Sequence, residues 1–284
     1  MKVLTYIKCR CKIITQPIAK PENRDVRSGE MWLHPIVLRC FAQNAPRANV
    51  PQCSYNNEMA VKNMQKAVII ASKENPLTSL AGELKKRDIE VSVLMREDFS
   101  STAMFADAAE REGKVDYLFI SALCDKALEN KNLVDLTTEE YRTWKYYGLK
   151  QFYEISATFV KKMVANGGGK VIGVISEAGV IPSFGQCMNG AAGAALAMGL
   201  QSMAAESTED NIFTCTVAVG GTTGEDRFMR DDESYIMHVP GKALLSEEEV
   251  AAKIADILML TDKNMTGNVM TIDAGFSCAF MREW

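Results

Sequence analysis

From residue 65 onward the chain alternates short apolar runs with longer segments of helical periodicity, and this alternation is the strongest constraint on its fold. The apolar runs, which predict strands, span 67–71, 90–95, 115–122, 170–176, 212–219 and 268–272. The segments that predict helices span 77–86, 102–112, 139–165, 187–206 and 247–260. Strands and helices that alternate at this spacing form a parallel sheet covered on both faces. We therefore predict a doubly wound α/β domain over residues 63–284.

Residues 1–62 differ in character from the rest of the chain. Runs rich in Val, Ile and Leu at 3–14 and 32–42 predict strands. The Pro- and Asn-rich stretch at 44–57 is typical of a linker or loop. We predict a β-rich N-terminal extension that packs on the main domain or on a partner.

Four cysteines of this extension are candidate metal ligands: Cys9, Cys11, Cys40 and Cys53. Four thiolates from separate segments can hold zinc in a tetrahedral site. The spacing lacks the paired CxxC of common zinc sites, so ordinary reduced cysteines are the alternative. The chain has eight cysteines dispersed over 284 residues, which favours a reducing cytoplasm over a disulfide-bonded secreted protein.

The distribution of charge and hydrophobicity argues against two classes of partner. The formal net charge is −4, and Lys and Arg are scattered rather than gathered into a basic stripe, which argues against nucleic acid. No apolar run approaches the ~20 residues that cross a bilayer. Residues 1–14 carry Lys and Arg among their apolar residues, unlike a signal peptide. We expect a cytoplasmic protein that binds neither nucleic acid nor membrane.

Four ordered segments carry a family resemblance. They are VDYLFISA at 115–122, GKVIGVIS at 169–176, AAL and AAE at 194–196 and 204–206, and TGNVMTIDAG at 266–275. Together they resemble the classical short-chain dehydrogenase/reductase family. The resemblance implies a Rossmann-like sheet, an NAD(P) cofactor, and a catalytic group made of Ser, Tyr, Lys and Asn.

The resemblance places these four catalytic positions on Ser176, Asn189, Gly193 and Gly148. Only the Ser is retained. An Asn amide cannot replace the titrating Tyr hydroxyl, and Gly has no side chain that could hold the nicotinamide ribose. We therefore expect no catalytic activity from this chain alone.

Four other side chains could in principle transfer a proton: Tyr146, Tyr147, Cys187 and His238. The alternative for the tyrosines is packing between helices. The alternative for a lone Cys or His is a structural or solvated position. An atypical active oxidoreductase that uses one of these groups is thus a second candidate function.

The loop after the first predicted strand reads IASKENPL at 70–77. The family's glycines, which let backbone N–H groups approach a pyrophosphate, correspond here to Ala71, Asn75 and Leu77. A Glu between them adds negative charge, and a Pro removes an N–H donor. We expect no cofactor in this chain.

The segment between residues 95 and 116 is also short. It has room for one helix, whereas the family places a helix, a strand and another helix there. The adenine side of the fold is therefore predicted to be shortened by about twenty residues, roughly one helix and one strand.

The predicted helix at 187–206 is unusually rich in Gly and Ala. Interior glycines cost about 1 kcal/mol each relative to Ala, so a close helix–helix approach should compensate. The alternative is that the glycines mark the decay of an unused site. In the resembling family, this helix and the one at 139–165 form a dimer interface.

We therefore predict a non-catalytic subunit that pairs through helices 139–165 and 187–206 with an active paralogue, which holds the NAD. We expect the two kinds of subunit to form a hetero-oligomeric tetramer that acts on a hydroxyacyl-CoA. This arrangement is similar to the heterotetrameric dehydrogenase of anaerobic toluene breakdown, in which one of two related subunits is inactive. A third candidate function is a sensor that holds a small molecule near Ser176, Gly220 and residues 222–240.

Overall fold

The computed structural model describes residues 64–73, 77–121, 131–183, 185–223, 235–236 and 238–280. The strands are β1 Lys66–Ala71, β2 Glu90–Met95, β3 Tyr117–Ser121, β4 Gly169–Ser176, β5 Ile212–Val219 and β6 Asn268–Ile272. They form one parallel sheet in the spatial order β2-β1-β3-β4-β5-β6. The predicted doubly wound fold is confirmed. The predictions for residues 1–62, including the four cysteines, lie outside the described residues.

The helices follow the predicted segments closely. They are α1 Thr78–Lys86, α2 Thr102–Glu112, α3 Thr138–Trp144, α4 Gln151–Ile155, α5 Lys161–Ala165, α6 Cys187–Ser207, α7 Glu247–Leu260 and α8 Phe276–Phe280. Two π-helical segments, Lys145–Lys150 and Ser156–Val160, join α3, α4 and α5 into one long helix over 138–165. Short 3₁₀ turns lie at Arg96–Asp98, Leu133–Asp135 and Glu177–Gly179.

Capping boxes explain why two of these helices begin where they do. The Thr137 hydroxyl accepts from the backbone N–H of Glu140, whose carboxylate accepts from the backbone N–H of Thr137. Ser246 and Glu249 make the same reciprocal pair at the start of α7. Each box satisfies two backbone donors at the helix start that have no other partner within the helix.

Two apolar layers hold the sheet between helices. On one face, Phe105 of α2, Phe159 of the long helix and Leu196 of α6 pack on the strands. On the other face, Leu84 of α1 and Ile254 of α7 pack on them. Because both faces are covered, five of the six residues of β1 are buried, as its continuous apolar run predicts.

The sheet ends at β2, which is followed by a 3₁₀ turn and α2 before the chain enters β3. The predicted shortening between residues 95 and 116 is thus confirmed. In open parallel sheets, ligands bind at the carboxyl ends of the strands, so these ends define where a site is to be sought. Among the described residues, no helix is long and apolar enough to cross a membrane.

Candidate functional site

Ser176, the one retained catalytic position, is the last residue of β4 and is buried. Its hydroxyl accepts a hydrogen bond from the backbone N–H of Ala178 at 3.3 Å, so it caps the 3₁₀ turn Glu177–Gly179. Ser and Thr hydroxyls commonly hold short turns in this way. This hydrogen bond gives the Ser176 hydroxyl a structural role.

Asn189 and Gly193 both lie on the inner face of α6 and are buried. The Asn189 amide donates to the Gln186 side chain at 2.8 Å. A Cβ at Gly193 would lie 3.2 Å from the Cα of Gly179 and 3.3 Å from the Cβ of Ile175. The helix backbone therefore lies against the 3₁₀ turn, and a Cβ at Gly193 would require one of the two to shift by a few tenths of an ångström.

The small residues of α6 are used largely within the chain. A Cβ at Gly190 would lie 2.6 Å from the backbone oxygen of Ala178. A Cβ at Gly199 would collide with the Phe152 ring of the long helix. Close packing therefore does compensate the glycines, as predicted, and these two contacts are intramolecular. The outer face of α6 is a separate surface, where Met198 is exposed.

The candidate substitute acids lie at three different places in the fold. The Tyr146 hydroxyl donates to the backbone oxygen of Phe99 at 3.3 Å, in the segment between β2 and α2. Cys187 is exposed at the first residue of α6. His238 meets the ring of Phe276 edge-on, with centroids 6.4 Å apart. The side chain of Tyr147 lies outside the described residues, and the backbone of Gly148 is in the first π-helical segment.

The predicted cofactor loop begins at Ala71, the last residue of β1, and ends at Leu77, which has a left-handed backbone with φ 52°. Asn75 lies outside the described residues. Within the loop, the backbone N–H of Lys73 donates to the Glu97 carboxylate at 3.1 Å. The Lys73 ammonium lies 2.6 Å from the carboxylate of Asp98. A phosphate brought to this N–H would have to compete with two carboxylates that are already paired, Asp98 with Lys73 and Glu97 with Arg96.

A polar cluster lies at the carboxyl ends of β4, β5 and β6, near Ser176 and Gly220, where the sensor hypothesis places its cleft. Its residues Glu177, Tyr235 and Phe276 were not predicted from the sequence. The Tyr235 hydroxyl donates to the buried Glu177 carboxylate at 3.1 Å. The same oxygen accepts from the backbone N–H of Gly221 at 2.8 Å. The Tyr235 ring stacks on Phe276 of α8, with centroids 4.2 Å apart. One phenol side chain thus connects residues that follow three neighbouring strands.

Gly220 allows the side chains of this cluster to approach one another, because it has no side chain of its own. A Cβ at this position would lie 2.5 Å from a Glu177 carboxylate oxygen, 2.7 Å from the Cβ of Asp273 and 2.8 Å from the Tyr235 hydroxyl. Asp273 is buried and accepts from the backbone N–H groups of Gly275 at 2.9 Å and Ser277 at 2.7 Å. It therefore fixes the turn into α8.

Burial, together with the negative charges of Glu177 and Asp273, raises the pKa of Tyr235 well above its usual value. The family's catalytic Tyr needs the opposite shift, which a neighbouring Lys supplies. Tyr235 therefore keeps its proton and donates a hydrogen bond. It is not activated as a catalytic acid or base.

Two features of the sequence could have indicated this cluster. Two consecutive glycines follow the strand at 212–219, and glycines there allow close approach of other groups. An acidic residue also follows the last strand. Nothing local connects either feature with Tyr235, which lies 58 residues from Glu177. No group of three or more His, Cys, Asp or Glu that could hold a metal occurs among the described residues.

Comparison with known proteins is consistent with this architecture. The family described as short chain dehydrogenase matches residues 55–233. Acetoacetyl-CoA reductase from Acinetobacter sp. (strain RA3849) is 25% identical over 182 residues, which cover 62% of this chain and 71% of that protein. Acetoin dehydrogenase from Enterobacter cloacae superposes with a TM-score of 0.62 at 20% identity, covering 76% of this chain and 97% of that structure. ElxO with NADP bound gives a TM-score of 0.63 at 19% identity, covering 76% of this chain and 100% of that structure.

Proposed function

Because the chain belongs to the short-chain dehydrogenase family, we propose that it is a non-catalytic subunit that pairs with an active relative in an NAD-dependent hydroxyacyl-CoA-type dehydrogenase. In such a hetero-oligomer the active relative holds the cofactor and the reacting groups. This chain supplies structure to the assembly.

The observation that carries the proposal is the contact between α6 and the turn after β4. The two positions that should hold the Tyr and Lys are Asn189 and Gly193, and the backbone at Gly193 lies against Gly179. Even a Cβ at Gly193 would require Gly179 or Ile175 to shift by a few tenths of an ångström. A proton relay of the family's type lacks its Tyr and Lys groups here.

The loop after β1 supports the same conclusion for the cofactor. Its Lys73 N–H is already hydrogen-bonded to the carboxylate of Glu97. A dinucleotide would have to displace that carboxylate, which is also paired with Arg96. It would also have to compete with Asp98 for the Lys73 ammonium. The loop therefore has to break two of its own ion pairs before it can bind a pyrophosphate.

The outer face of α6 supports pairing. From Cys187 to Ala205 the helix has no charged residue, although it lies at the surface and Met198 is 63% exposed. A helix that is apolar on all sides is normally buried. Across the Phe152–Gly199 contact, the long helix adds Tyr153, which is 69% exposed. A partner that covers both helices would bury this surface.

The name of one relative supports the substrate class that we propose for the complex. One relative bears the name acetoacetyl-CoA reductase. That name describes exchange between a ketoacyl-CoA and a hydroxyacyl-CoA, which is the type of reaction we propose for the active partner. The proposal extends to a tetramer similar in organisation to the toluene-pathway dehydrogenase.

The first test is a titration of the purified chain with NAD⁺ and NADH, followed by tryptophan and nicotinamide fluorescence. We expect no binding at millimolar cofactor. Micromolar binding would contradict the proposal and favour an active oxidoreductase of unusual design.

The second test is co-expression with a short-chain dehydrogenase of the same genome that keeps the Tyr and Lys, starting with a neighbouring gene where there is one. We expect a stable complex, and Met198→Glu should abolish it by placing a charge in the apolar contact. Met259→Glu is the matched control, because Met259 is 43% exposed on α7, away from the proposed interface. A chain that forms only homo-oligomers would favour the sensor function instead.

A further inference from the structure

The niche that holds the Tyr235 ring has the features of a binding site for a hydroxyaryl group. It offers a backbone donor, the N–H of Gly221, at 2.8 Å and a carboxylate acceptor, Glu177, at 3.1 Å. It also offers an aromatic ring, Phe276, for stacking at 4.2 Å. A phenol hydroxyl both donates and accepts, so it matches the two polar groups at once.

The walls of the niche are held by contacts that do not involve Tyr235. Ser176 caps the turn that carries Glu177. Asp273 accepts from two backbone N–H groups and so fixes the turn into α8, which carries Phe276. The backbone N–H of Gly220 donates to the Ile272 oxygen at 2.9 Å, which ties the end of β5 to that of β6. The niche should therefore persist when the phenol side chain is removed.

We propose that Tyr235 is an internal ligand in a preformed hydroxyaryl site, and that a small external phenol binds there when the Tyr235 side chain is absent. The chemical class of ligand is a planar aromatic ring with a hydroxyl group. An unsubstituted ring would stack on Phe276 but could not replace the hydrogen bonds that a hydroxyl makes with the Glu177 carboxylate and the Gly221 N–H. This inference does not depend on the proposed function.

The test compares p-cresol with toluene on Tyr235→Ala, on Tyr235→Phe and on the unmodified chain, by thermal unfolding. We expect p-cresol at tenfold above its Kd to raise the melting temperature of Tyr235→Ala by about 4 °C. Toluene should raise it less. The other two proteins should not respond, because their niche is filled. Equal shifts with both compounds, or in all three proteins, would overturn the proposal.

A second readout covers the case in which Tyr235→Ala does not fold without help. Soluble yield is then measured after expression with p-cresol or with toluene. Recovery with p-cresol alone supports the site, and equal yields with and without p-cresol overturn it. Binding of NADH by the unmodified chain, which would contradict the proposed function, would leave both of these results unchanged.

Discussion

The two halves of the sheet's carboxyl edge are closed by different chemistry. At β1 and β2, charged side chains make the contacts, and Lys73 and Asp98 are 59% and 56% exposed. At β4 to β6, a phenol joins groups that are almost fully buried, since Glu177 is 7% exposed. Ion pairs in water contribute little stability, whereas buried hydrogen bonds are expensive to break. The second half should therefore be the stable part of the edge.

Of the variants considered, Gly220→Ala should reduce stability most, because it disturbs the buried half of the edge. The new methyl group would lie within 3 Å of three side chains that meet at Gly220. We expect the free energy of unfolding to fall by about 3 kcal/mol, measured by urea denaturation. The matched control is Gly241→Ala, which has no heavy atom within 4 Å of the new Cβ and should change stability by less than about 0.5 kcal/mol. Equal losses would show that the cluster is loosely packed.

Tyr235→Phe should have the next largest effect. It keeps the stack on Phe276 but removes the hydroxyl that pairs with Glu177 and Gly221. We expect a loss of about 2 kcal/mol, because the buried Glu177 carboxylate and the Gly221 N–H each lose one hydrogen bond. Tyr153→Phe removes a hydroxyl from a side chain that is 69% exposed and should be neutral. If the two variants behave alike in urea, the hydrogen bonds at β4 to β6 contribute no stability.

Alkaline pH should gradually reduce the stabilisation that the Tyr235 hydroxyl provides. Burial and the nearby carboxylates raise the pKa of Tyr235 above its usual value of 10.0. A group whose pKa is raised by folding stabilises the native state fully below its unfolded-state pKa and less as the pH rises above it. The difference in melting temperature between the unmodified chain and Tyr235→Phe should thus be constant to about pH 9 and shrink above pH 10. A difference that grows with pH would mean that the pKa is lowered.

Asp98→Asn should have the smallest effect, since Asp98 and its partner Lys73 are both more than half exposed. We expect a loss of about 0.5 kcal/mol or less, and it should disappear in about 1 M salt because the charges are screened. Glu110→Gln is the control: its partner is Lys162, and Glu110 is 79% exposed. If Asp98→Asn costs as much as Tyr235→Phe, the two halves of the edge do not differ as described.

The sequence predicted the fold well because strand and helix periods are local signals. Each of the six strands could be assigned from its own apolar run, and their parallel direction follows from the alternation with helices. The shortened segment before β3 was visible as missing length. The π-helical segments of the long helix were not predicted, because the apolar pattern over 139–165 continues through them without interruption.

The site was predictable only where it could be aligned with the family. Asn189 and Gly193 were identified as replacements by position, but their contacts were not. That Gly193 lies against Gly179 depends on how α6 packs on the turn after β4. The pairing of Tyr235 with Glu177 joins residues distant in sequence. Such contacts are set by tertiary structure, and a single sequence does not encode them in any local pattern.

The contact between Gly193 and Gly179 also bears on the history of this chain. A lysine at residue 193 would place its Cβ 3.2 Å from the Cα of Gly179 and 3.3 Å from the Cβ of Ile175. The turn after β4 or the first half of α6 would have to shift by a few tenths of an ångström to accept it. A reversion would therefore have to loosen packing that the glycine now permits, which makes the loss of the old side chain harder to undo.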